Sequence, residues 1–256
     1  MMKRYAKPLF IAAFMLLSSF VLFQKEKPTL WLIGDSTVRN GTYDRGDSGL
    51  WGWGHFLHEM FDTTRISIQN KAFGGTSSHT FVTGGFWEKV RPNIRKGDYV
   101  LIQFGHNDGT ALTLRGNGDD SAEVTNPKTQ KTEMVHSFGW NIRRYIRETK
   151  AMGGTPIVLS LVPRDMWKDG KVDRVASEYV GWDKEAAAQE GVEFIDLNKI
   201  IADHYDQIGM DKVMSTYFTV KDHTHIIEAG AKFNDTCVVE GLRTLKNDPF
   251  KKYLQK

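Results

Sequence analysis

Five short apolar runs, separated by longer amphipathic stretches, constrain the fold of this chain more than any other feature of its sequence. Short apolar runs bounded by glycine, proline or polar residues are typical of buried strands. Strands that alternate with helices form a parallel sheet whose two faces are both covered. The sequence therefore predicts an α/β protein with a five-stranded parallel sheet and helices on both sides. The predicted strands are residues 30–33, 65–69, 99–104, 156–162 and 193–197.

Helices are predicted between these strands. Residues 138–151 and 176–190 each end just before glycine, a common helix terminator, and a last helix is expected over residues 228–245. The aromatic residues within positions 51–61 fall largely on helical spacing, which predicts a further helix that packs on the core. Residues 109–133 are rich in glycine, asparagine, aspartate, threonine and serine without an apolar period, which predicts a long functional loop.

The N-terminal segment differs in composition from the rest of the chain. Three basic residues precede an apolar run over residues 9–23 that only two serines interrupt. This order is typical of a secretory signal peptide, and the run is shorter than the roughly 20 residues that a membrane-spanning helix needs. We expect residues 1–24 to be a signal peptide or N-terminal anchor. Residues 28–256 are expected to form one domain, exported to the periplasm or the extracellular space.

Charge and cysteine content argue against several functional classes. The formal net charge is only +3, and basic residues are scattered among acidic ones, so no basic stripe predicts nucleic-acid binding. Cys237 is the only cysteine in the sequence, which excludes an intramolecular disulfide and a cysteine-rich metal cluster. His55 and His58 have no evident third ligand, so no metal site is predicted. We expect a monomer with no membrane partner beyond the possible anchor.

Three polar, glycine-marked segments follow the first three predicted strands. Ser36 follows the first strand, residues 70–77 follow the second, and residues 105–108 follow the third. In an open parallel sheet, ligands bind beyond the carboxyl ends of the strands, so these segments should converge on one edge. A serine at the point where a buried strand breaks into a loop is well placed to act as a nucleophile.

A base and a carboxylate that could activate Ser36 lie far downstream. Asp222 and His225 are three residues apart, so on a tight turn the carboxylate can bond one ring nitrogen while the other faces the serine. His223 is the rival base, but its adjacency to Asp222 should point the two side chains apart. The expected oxyanion donors are the backbone N–H of Ser36, a glycine N–H after the second strand and the Asn107 amide. Such acyl chemistry requires neither a metal nor an organic cofactor.

Four sequence blocks occur along the chain in a fixed order. They are Gly-Asp-Ser-Thr at 34–37, Asn-x-Ala-x-x-Gly-x-Ser at 70–77, Gln-Phe-Gly-His-Asn-Asp at 103–108 and Asp-x-x-His at 222–225. They resemble the blocks of the SGNH (GDSL-like) hydrolases, and within that superfamily most closely those of the rhamnogalacturonan acetylesterases. The resemblance implies a flavodoxin-like three-layer α/β/α sandwich. It also implies an esterase that removes acetyl groups from galacturonic acid residues in the rhamnogalacturonan backbone of pectin.

The resemblance also implies roles for particular residues. Ser36 would be the nucleophile, Asp222 and His225 the remaining catalytic pair, and Gly75 and Asn107 would complete the oxyanion hole with the Ser36 N–H.

Two departures from the family pattern concern the substrate. Thr76 and His79 stand where arginines are common, so these candidate substrate-binding residues should contact an acidic polysaccharide differently. Basic residues in loops that should border the cleft could meet a galacturonate carboxylate: Arg115, Lys128, Lys131 and Arg164.

Other functions stay open at this point. A deacetylase of acetylxylan or another glycan would differ only in cleft contacts, and a GDSL lipase or thioesterase would have an apolar cleft. A catalytically silent carbohydrate-binding protein should lack a triad member, and a nucleotide binder should carry a glycine-rich phosphate loop ending in Gly-Lys-Ser or Gly-Lys-Thr, which this sequence lacks.

Overall fold

The computed structural model of this chain describes residues 27–41, 49–174 and 177–255. The expected signal peptide or anchor, residues 1–24, lies outside the described residues. Within the described part, no helix combines the length and the apolar character needed to cross a membrane.

Nine strands occur in the described residues, and five of them form the central sheet. The strands are β1 (Thr29–Gly34), β2 (Ser67–Asn70), β3 (Tyr99–Gln103), β4 (Ser121–Thr125), β5 (Thr132–His136), β6 (Thr155–Leu159), β7 (Trp167–Lys168), β8 (Lys171–Val172) and β9 (Glu193–Ile195). The central sheet has the order β2-β1-β3-β6-β9, and all its neighbours are parallel. The pairs β4–β5 and β7–β8 are antiparallel hairpins outside that sheet.

Helices cover both faces of the sheet. The α-helices are α1 (Thr80–Thr83), α2 (Phe86–Val90), α3 (Phe138–Ala151), α4 (Ser177–Gln189), α5 (Leu197–Ile208), α6 (Met210–Tyr217) and α7 (Glu228–Arg243). Short 3-10 helices occupy Trp53–His55, Leu57–Met60 and Arg91–Asn93.

Side chains of the central strands alternate between two hydrophobic cores. Leu30 and Leu32 of β1 belong to the core that packs under α5, α6 and α7, whereas Trp31 and Ile33 belong to the core under α3 and α4. A strand places successive side chains on opposite faces, so an apolar run such as β1 can bury both of its faces. The predicted three-layer α/β/α sandwich with a five-stranded parallel sheet is confirmed.

The segment predicted as a helix over positions 51–61 forms two short 3-10 helices instead. Its backbone donors are used elsewhere: the Trp53 N–H donates to Thr37 O at 2.9 Å, and the Gly54 N–H donates to Val38 O at 3.1 Å. Because these bonds join the segment to the loop after β1, a regular α-helix cannot continue through it.

The predicted long loop over residues 109–133 contains most of the hairpin β4–β5. The prediction was wrong here because the hairpin lies outside the central sheet and needs few apolar residues. In β4, exposed residues alternate with half-buried ones, and only Ala122 and Val124 supply apolar side chains. A period of two is hard to detect when it contains so few apolar positions.

Candidate active site

The loops after β1, β2 and β3 meet at the carboxyl edge of the central sheet, as predicted for the loops of an open parallel sheet. Gly34, the last residue of β1, lies against the neighbouring strand: a Cβ added there would lie 2.5 Å from Gln103 O. Only glycine therefore fits at this position, and the loop that carries Ser36 starts in close contact with β3.

Four buried polar side chains hold the loop around Ser36. Thr37 donates from its backbone N–H and from its hydroxyl to Asp35 Oδ1, both at 2.8 Å. Gln103 donates to the Thr37 hydroxyl at 3.0 Å, and the Trp53 indole N–H donates to Gln103 Oε1 at 2.9 Å. All four are at most 2% exposed. Because an unpaired buried polar group is costly, this network fixes the position of the loop.

Sequence reasoning assigned Trp53 to the core and gave Gln103 no role beyond its place in the third sequence block. The available signal was a polar glutamine ending the otherwise apolar strand β3. Such a residue has to find a partner when it is buried.

Ser36, His225 and Asp222 form a continuous line of hydrogen bonds. Ser36 Oγ lies 2.8 Å from His225 Nε2, and His225 Nδ1 lies 2.8 Å from Asp222 Oδ2. With Nδ1–H donating to the carboxylate, Nε2 is the acceptor that can take the serine proton. The His225 and Asp222 side chains are 33% and 29% exposed, so solvent and substrate can reach the line.

Asp222 is held in its charged form by the turn on which it lies. Its Oδ1 accepts from the backbone N–H groups of Thr224 at 2.8 Å and His225 at 2.9 Å. Partial burial by itself would raise the pKa of Asp222, but these two donors and the His225 ring outweigh it, and the pKa lies below its usual value. Asp222 is therefore an anion at neutral pH and can stabilise an imidazolium at His225.

The histidine-bearing turn is anchored on both sides. The Trp51 N–H donates to Ile226 O, and the Asp165 N–H donates to His223 O, both at 2.8 Å. The rival base, His223, has its Nδ1 3.5 Å from Asp165 Oδ2 and a side chain that is 52% exposed. The structure therefore brings His225, not His223, to Ser36.

The loops after β2 and β3 meet where an oxyanion hole is expected. Gly75 has φ +76°, in the left-handed region that glycine adopts without strain. The Asn107 side-chain amide donates to Thr76 O at 3.0 Å, which ties it to the glycine loop. Gly75 and Asn107 border the same groove, which has a volume of about 730 Å³ and extends to the turn of hairpin β4–β5.

Two buried titratable residues, Asp108 and His106, lie in the loop after β3 without joining the line to Ser36. The N–H and the hydroxyl of Ser78 both donate to Asp108, the latter at 2.6 Å. Burial raises the pKa of Asp108 to about 7 despite these bonds. Burial lowers the pKa of His106 more than the nearby Asp35 carboxylate raises it, so His106 is neutral at pH 7.

The three candidate substrate-binding residues have different environments. Thr76 is buried, and its hydroxyl donates to Phe73 O at 2.8 Å. His79 is buried as well, with Nε2 3.0 Å from Glu133 Oε2. Arg164 is exposed and borders a second pocket of about 370 Å³ beside the loop after β3. The polar groups of Thr76 and His79 are thus already bonded within the protein.

Within the described residues, no group of three or more histidine, cysteine, aspartate or glutamate side chains is placed to hold a metal ion.

Comparison with known proteins links this geometry to a family. A sequence model of the GDSL-like Lipase/Acylhydrolase family matches residues 32–232, a stretch that contains Ser36, Gly75, Asn107, Asp222 and His225. The chain is 29% identical over 210 residues to a protein of Emericella nidulans named rhamnogalacturonan acetylesterase, covering 79% of this chain and 80% of that protein. It is 30% identical over 221 residues to YesY of Bacillus subtilis, named a probable rhamnogalacturonan acetylesterase, covering 84% and 93%.

Solved structures share the fold. The crystal structure of protein YxiM from Bacillus subtilis superposes with a TM-score of 0.69 at 29% identity, covering 85% of this chain and 56% of that longer chain. The acetylxylan esterase Axe2 from Geobacillus stearothermophilus gives a TM-score of 0.56 at 16% identity, covering 86% and 95%. At 16% identity the likeness shows the fold alone.

Proposed function

This chain belongs to the GDSL-like Lipase/Acylhydrolase family and is a carboxylic ester hydrolase, and on that premise we propose that it removes O-acetyl groups from an acidic plant polysaccharide, most specifically rhamnogalacturonan. The observation that carries the proposal is the line from Ser36 through His225 to Asp222, together with the open groove that the expected oxyanion residues Gly75 and Asn107 border. Likeness to proteins named as rhamnogalacturonan acetylesterases supports the substrate. The basic and apolar N-terminal sequence supports export.

In the proposed acylation step, Ser36 Oγ attacks the acetyl carbonyl carbon while His225 Nε2 takes the hydroxyl proton. The carbonyl oxygen becomes negative and is stabilised by the N–H groups of Ser36 and Gly75 and by the Asn107 amide. Collapse of the tetrahedral intermediate breaks the bond to the sugar oxygen, which receives the proton from His225. The deacetylated sugar leaves, and Ser36 carries the acetyl group.

Deacylation repeats the same proton movements with water. His225 removes a proton from a water molecule, whose oxygen attacks the acetyl-serine carbonyl, and then returns that proton to Ser36 Oγ. Acetate is released and the free serine is restored. Throughout both steps, Asp222 fixes the imidazole tautomer and stabilises its charged form.

Replacement of Asn107 by alanine should lower kcat by about 10²- to 10³-fold, because one oxyanion donor is lost in the transition state. KM should change much less, since the ground-state carbonyl carries little charge. The measurement is the initial rate of aryl acetate hydrolysis, together with the thermal unfolding midpoint, because Asn107 also bonds Thr76 O. A loss of kcat below about tenfold in a folded variant would show that Asn107 is not an oxyanion donor.

The substrate proposal predicts acetate release from acetylated rhamnogalacturonan in preference to acetylated homogalacturonan and acetylated xylan. The test is acetate release from all three polymers at equal acetyl concentration, with Ser36→Ala as the control for contaminating esterases. Equal release from all three polymers would agree with esterase activity but contradict specificity for rhamnogalacturonan. Absence of release from any polymer, combined with hydrolysis of an aryl acetate, would contradict a polysaccharide substrate.

A neutral glycan such as acetylxylan is the second candidate, and the environment of Thr76 and His79 favours it. Both positions are commonly arginine in the rhamnogalacturonan acetylesterases that the sequence resembles, and here neither supplies a free cation to the groove. If acid groups are recognised, basic residues elsewhere in the groove have to recognise them.

A further inference from the structure

The groove beside Gly75 and Asn107 has two walls of different chemistry. One wall carries the aromatic ring of Phe73, which lies in the same loop as Gly75. The other wall is the turn of hairpin β4–β5, which carries Lys128 and Lys131. A groove with both an aromatic and a basic surface suits a ligand that has both apolar faces and negative charges.

The aromatic wall is exposed but firmly supported. The Phe73 ring is 50% exposed and stacks on Phe86 with a centroid distance of 4.0 Å and an interplanar angle of 23°. Phe86 in turn stacks at 5.7 Å on the fully buried Phe81. A sugar ring could bury its C–H face on Phe73 with little reordering of the protein, because that ring is already fixed by its neighbours.

The positive charges of the basic wall are available to bind a ligand. Lys128 and Lys131 are exposed, and neither forms an ion pair with a carboxylate in the described part of the chain. Glu133 is the acidic side chain that borders the groove, and it is bonded within the protein: Asn126 donates to Oε1 at 2.6 Å, and His79 Nε2 lies 3.0 Å from Oε2. These bonds leave its negative charge in place, but the two lysines outnumber it, so the groove attracts anions.

The two lysines lie on a turn whose backbone is fixed. Asn126 Oδ1 accepts from the N–H groups of Lys128 at 2.9 Å and Thr129 at 3.2 Å, and the Asn126 N–H donates to Lys131 O at 2.8 Å. The same Asn126 is joined through Glu133 to His79, three residues after Thr76 in the glycine loop. The lysine-bearing turn is thus connected by side-chain bonds to the loop that would bind the oxyanion.

We propose that hairpin β4–β5 is the specificity element of this enzyme. Lys128 and Lys131 bind carboxylates of an anionic oligosaccharide, and Phe73 packs on one of its sugar rings while the acetyl ester lies at Ser36. This inference rests on the proposed function and adds the residues that recognise the acid groups. A neutral glycan would use the aromatic wall alone.

The first test is the double substitution Lys128→Ala/Lys131→Ala in the full chain. Calorimetric titration with unacetylated rhamnogalacturonan oligosaccharide should show Kd increased about five- to tenfold, and the dependence of Kd on salt should weaken. KM for the acetylated rhamnogalacturonan oligosaccharide should rise by a similar factor with kcat nearly unchanged. KM for acetylated xylo-oligosaccharide and for 4-nitrophenyl acetate should stay constant.

Lys168→Ala/Lys171→Ala is the matched control. These lysines have the same spacing, lie on hairpin β7–β8, and do not border the groove. Their removal changes the net charge equally and should leave Kd for the rhamnogalacturonan oligosaccharide unchanged. Equal weakening by both double variants would show that only overall charge matters, which would overturn the assignment to hairpin β4–β5.

The second test is Phe73→Ala, with Phe73→Tyr as the variant that keeps an aromatic ring. Phe73→Ala should raise KM for acidic and neutral oligosaccharides alike, by about three- to tenfold, and should spare 4-nitrophenyl acetate. Phe73→Tyr should behave like the parent. Unchanged KM for both oligosaccharides in Phe73→Ala would show that Phe73 does not bind the sugar.

The titration separates this inference from the proposed function. Binding of the rhamnogalacturonan oligosaccharide that depends on Lys128 and Lys131, without acetate release from acetylated polymers, would contradict the proposed function and support the binding site. Acetate release with unchanged binding of that oligosaccharide in the lysine variant would support the function and overturn the inference. Failure of the parent protein to bind the rhamnogalacturonan oligosaccharide would overturn it as well.

Discussion

Replacement of Ser36 by alanine should lower kcat for ester hydrolysis by about 10⁴- to 10⁶-fold while the fold stays intact. The substitution removes the atom proposed to attack, and the 2.8 Å contact with His225 Nε2 is lost with it. The loop itself is held by Asp35 and Thr37, so we expect the free energy of unfolding to change by no more than about 1 kcal/mol. Initial rates with 4-nitrophenyl acetate and the thermal unfolding midpoint test both parts.

Ser215→Ala is the matched control for this change. Its hydroxyl makes a helix-internal bond to Asp211 O at 2.7 Å, on an exposed part of α6 away from the groove. We expect that variant to keep the parent kcat. A Ser36→Ala preparation that kept more than about a tenth of the parent kcat would require a different nucleophile. Mass spectrometry of acetylated peptides after rapid acid quenching would locate it.

The architecture could be predicted because the central strands bury both faces. Runs such as the one in β1 are apolar at successive positions, and glycine marks the end of the long helix α3, which begins and ends at the predicted residues. The predicted end of the fifth strand at residue 197 was wrong by two residues. Asp196 caps α5 by accepting from the Lys199 N–H, so β9 has to end at Ile195.

Hairpin β4–β5 and the segment around Trp53 could not be predicted, for a common physical reason. Their backbone conformation is decided by bonds to distant parts of the chain rather than by local periodicity. Trp53 bonds the loop after β1, and Glu133 in β5 bonds His79 in the glycine loop. Such tertiary bonds override the local pattern that sequence reasoning measures.

The candidate site also contains residues that could be predicted from the sequence and residues that could not. The residues that meet at Ser36 lie at strand ends or on a tight turn, where topology and spacing restrict the geometry. In the structure, His225 Nε2 lies 2.8 Å from Ser36 Oγ, and Asp222 Oδ2 lies 2.8 Å from His225 Nδ1. The side chains that hold these residues in position depend on hydrogen-bond partners that cannot be identified from a single sequence. The buried bonds from Trp53 through Gln103 to Thr37 are of this kind.

Replacement of Asp222 by asparagine should lower kcat by about 10⁴-fold, close to the effect expected for Ser36→Ala. Asparagine can keep an oxygen facing the N–H groups of Thr224 and His225, but its NH₂ then faces His225 Nδ1. Nδ1 would become an acceptor and Nε2 would carry the proton, so the ring could no longer take the proton of Ser36. If the amide flips, its NH₂ opposes two backbone donors instead. The measurement is kcat for an aryl acetate across pH 5 to 9.

His223→Ala is the control that distinguishes the two histidines beside Asp222. His223 faces Asp165 at 3.5 Å and is half exposed, so its loss should leave kcat nearly unchanged, whereas Asp222→Asn should be inactive at every pH where the protein is folded. Because the pKa of Asp222 is lowered by folding, its carboxylate contributes stability that is present above its unfolded value of about 3.9 and is lost as the pH falls through the lower folded value. Asp222→Asn lacks this contribution at every pH, so its thermal unfolding midpoint is measured at the pH of each rate to separate the effect on the His225 tautomer from unfolding. A large loss of kcat in His223→Ala together with a retained rate in Asp222→Asn would transfer the role of base to His223.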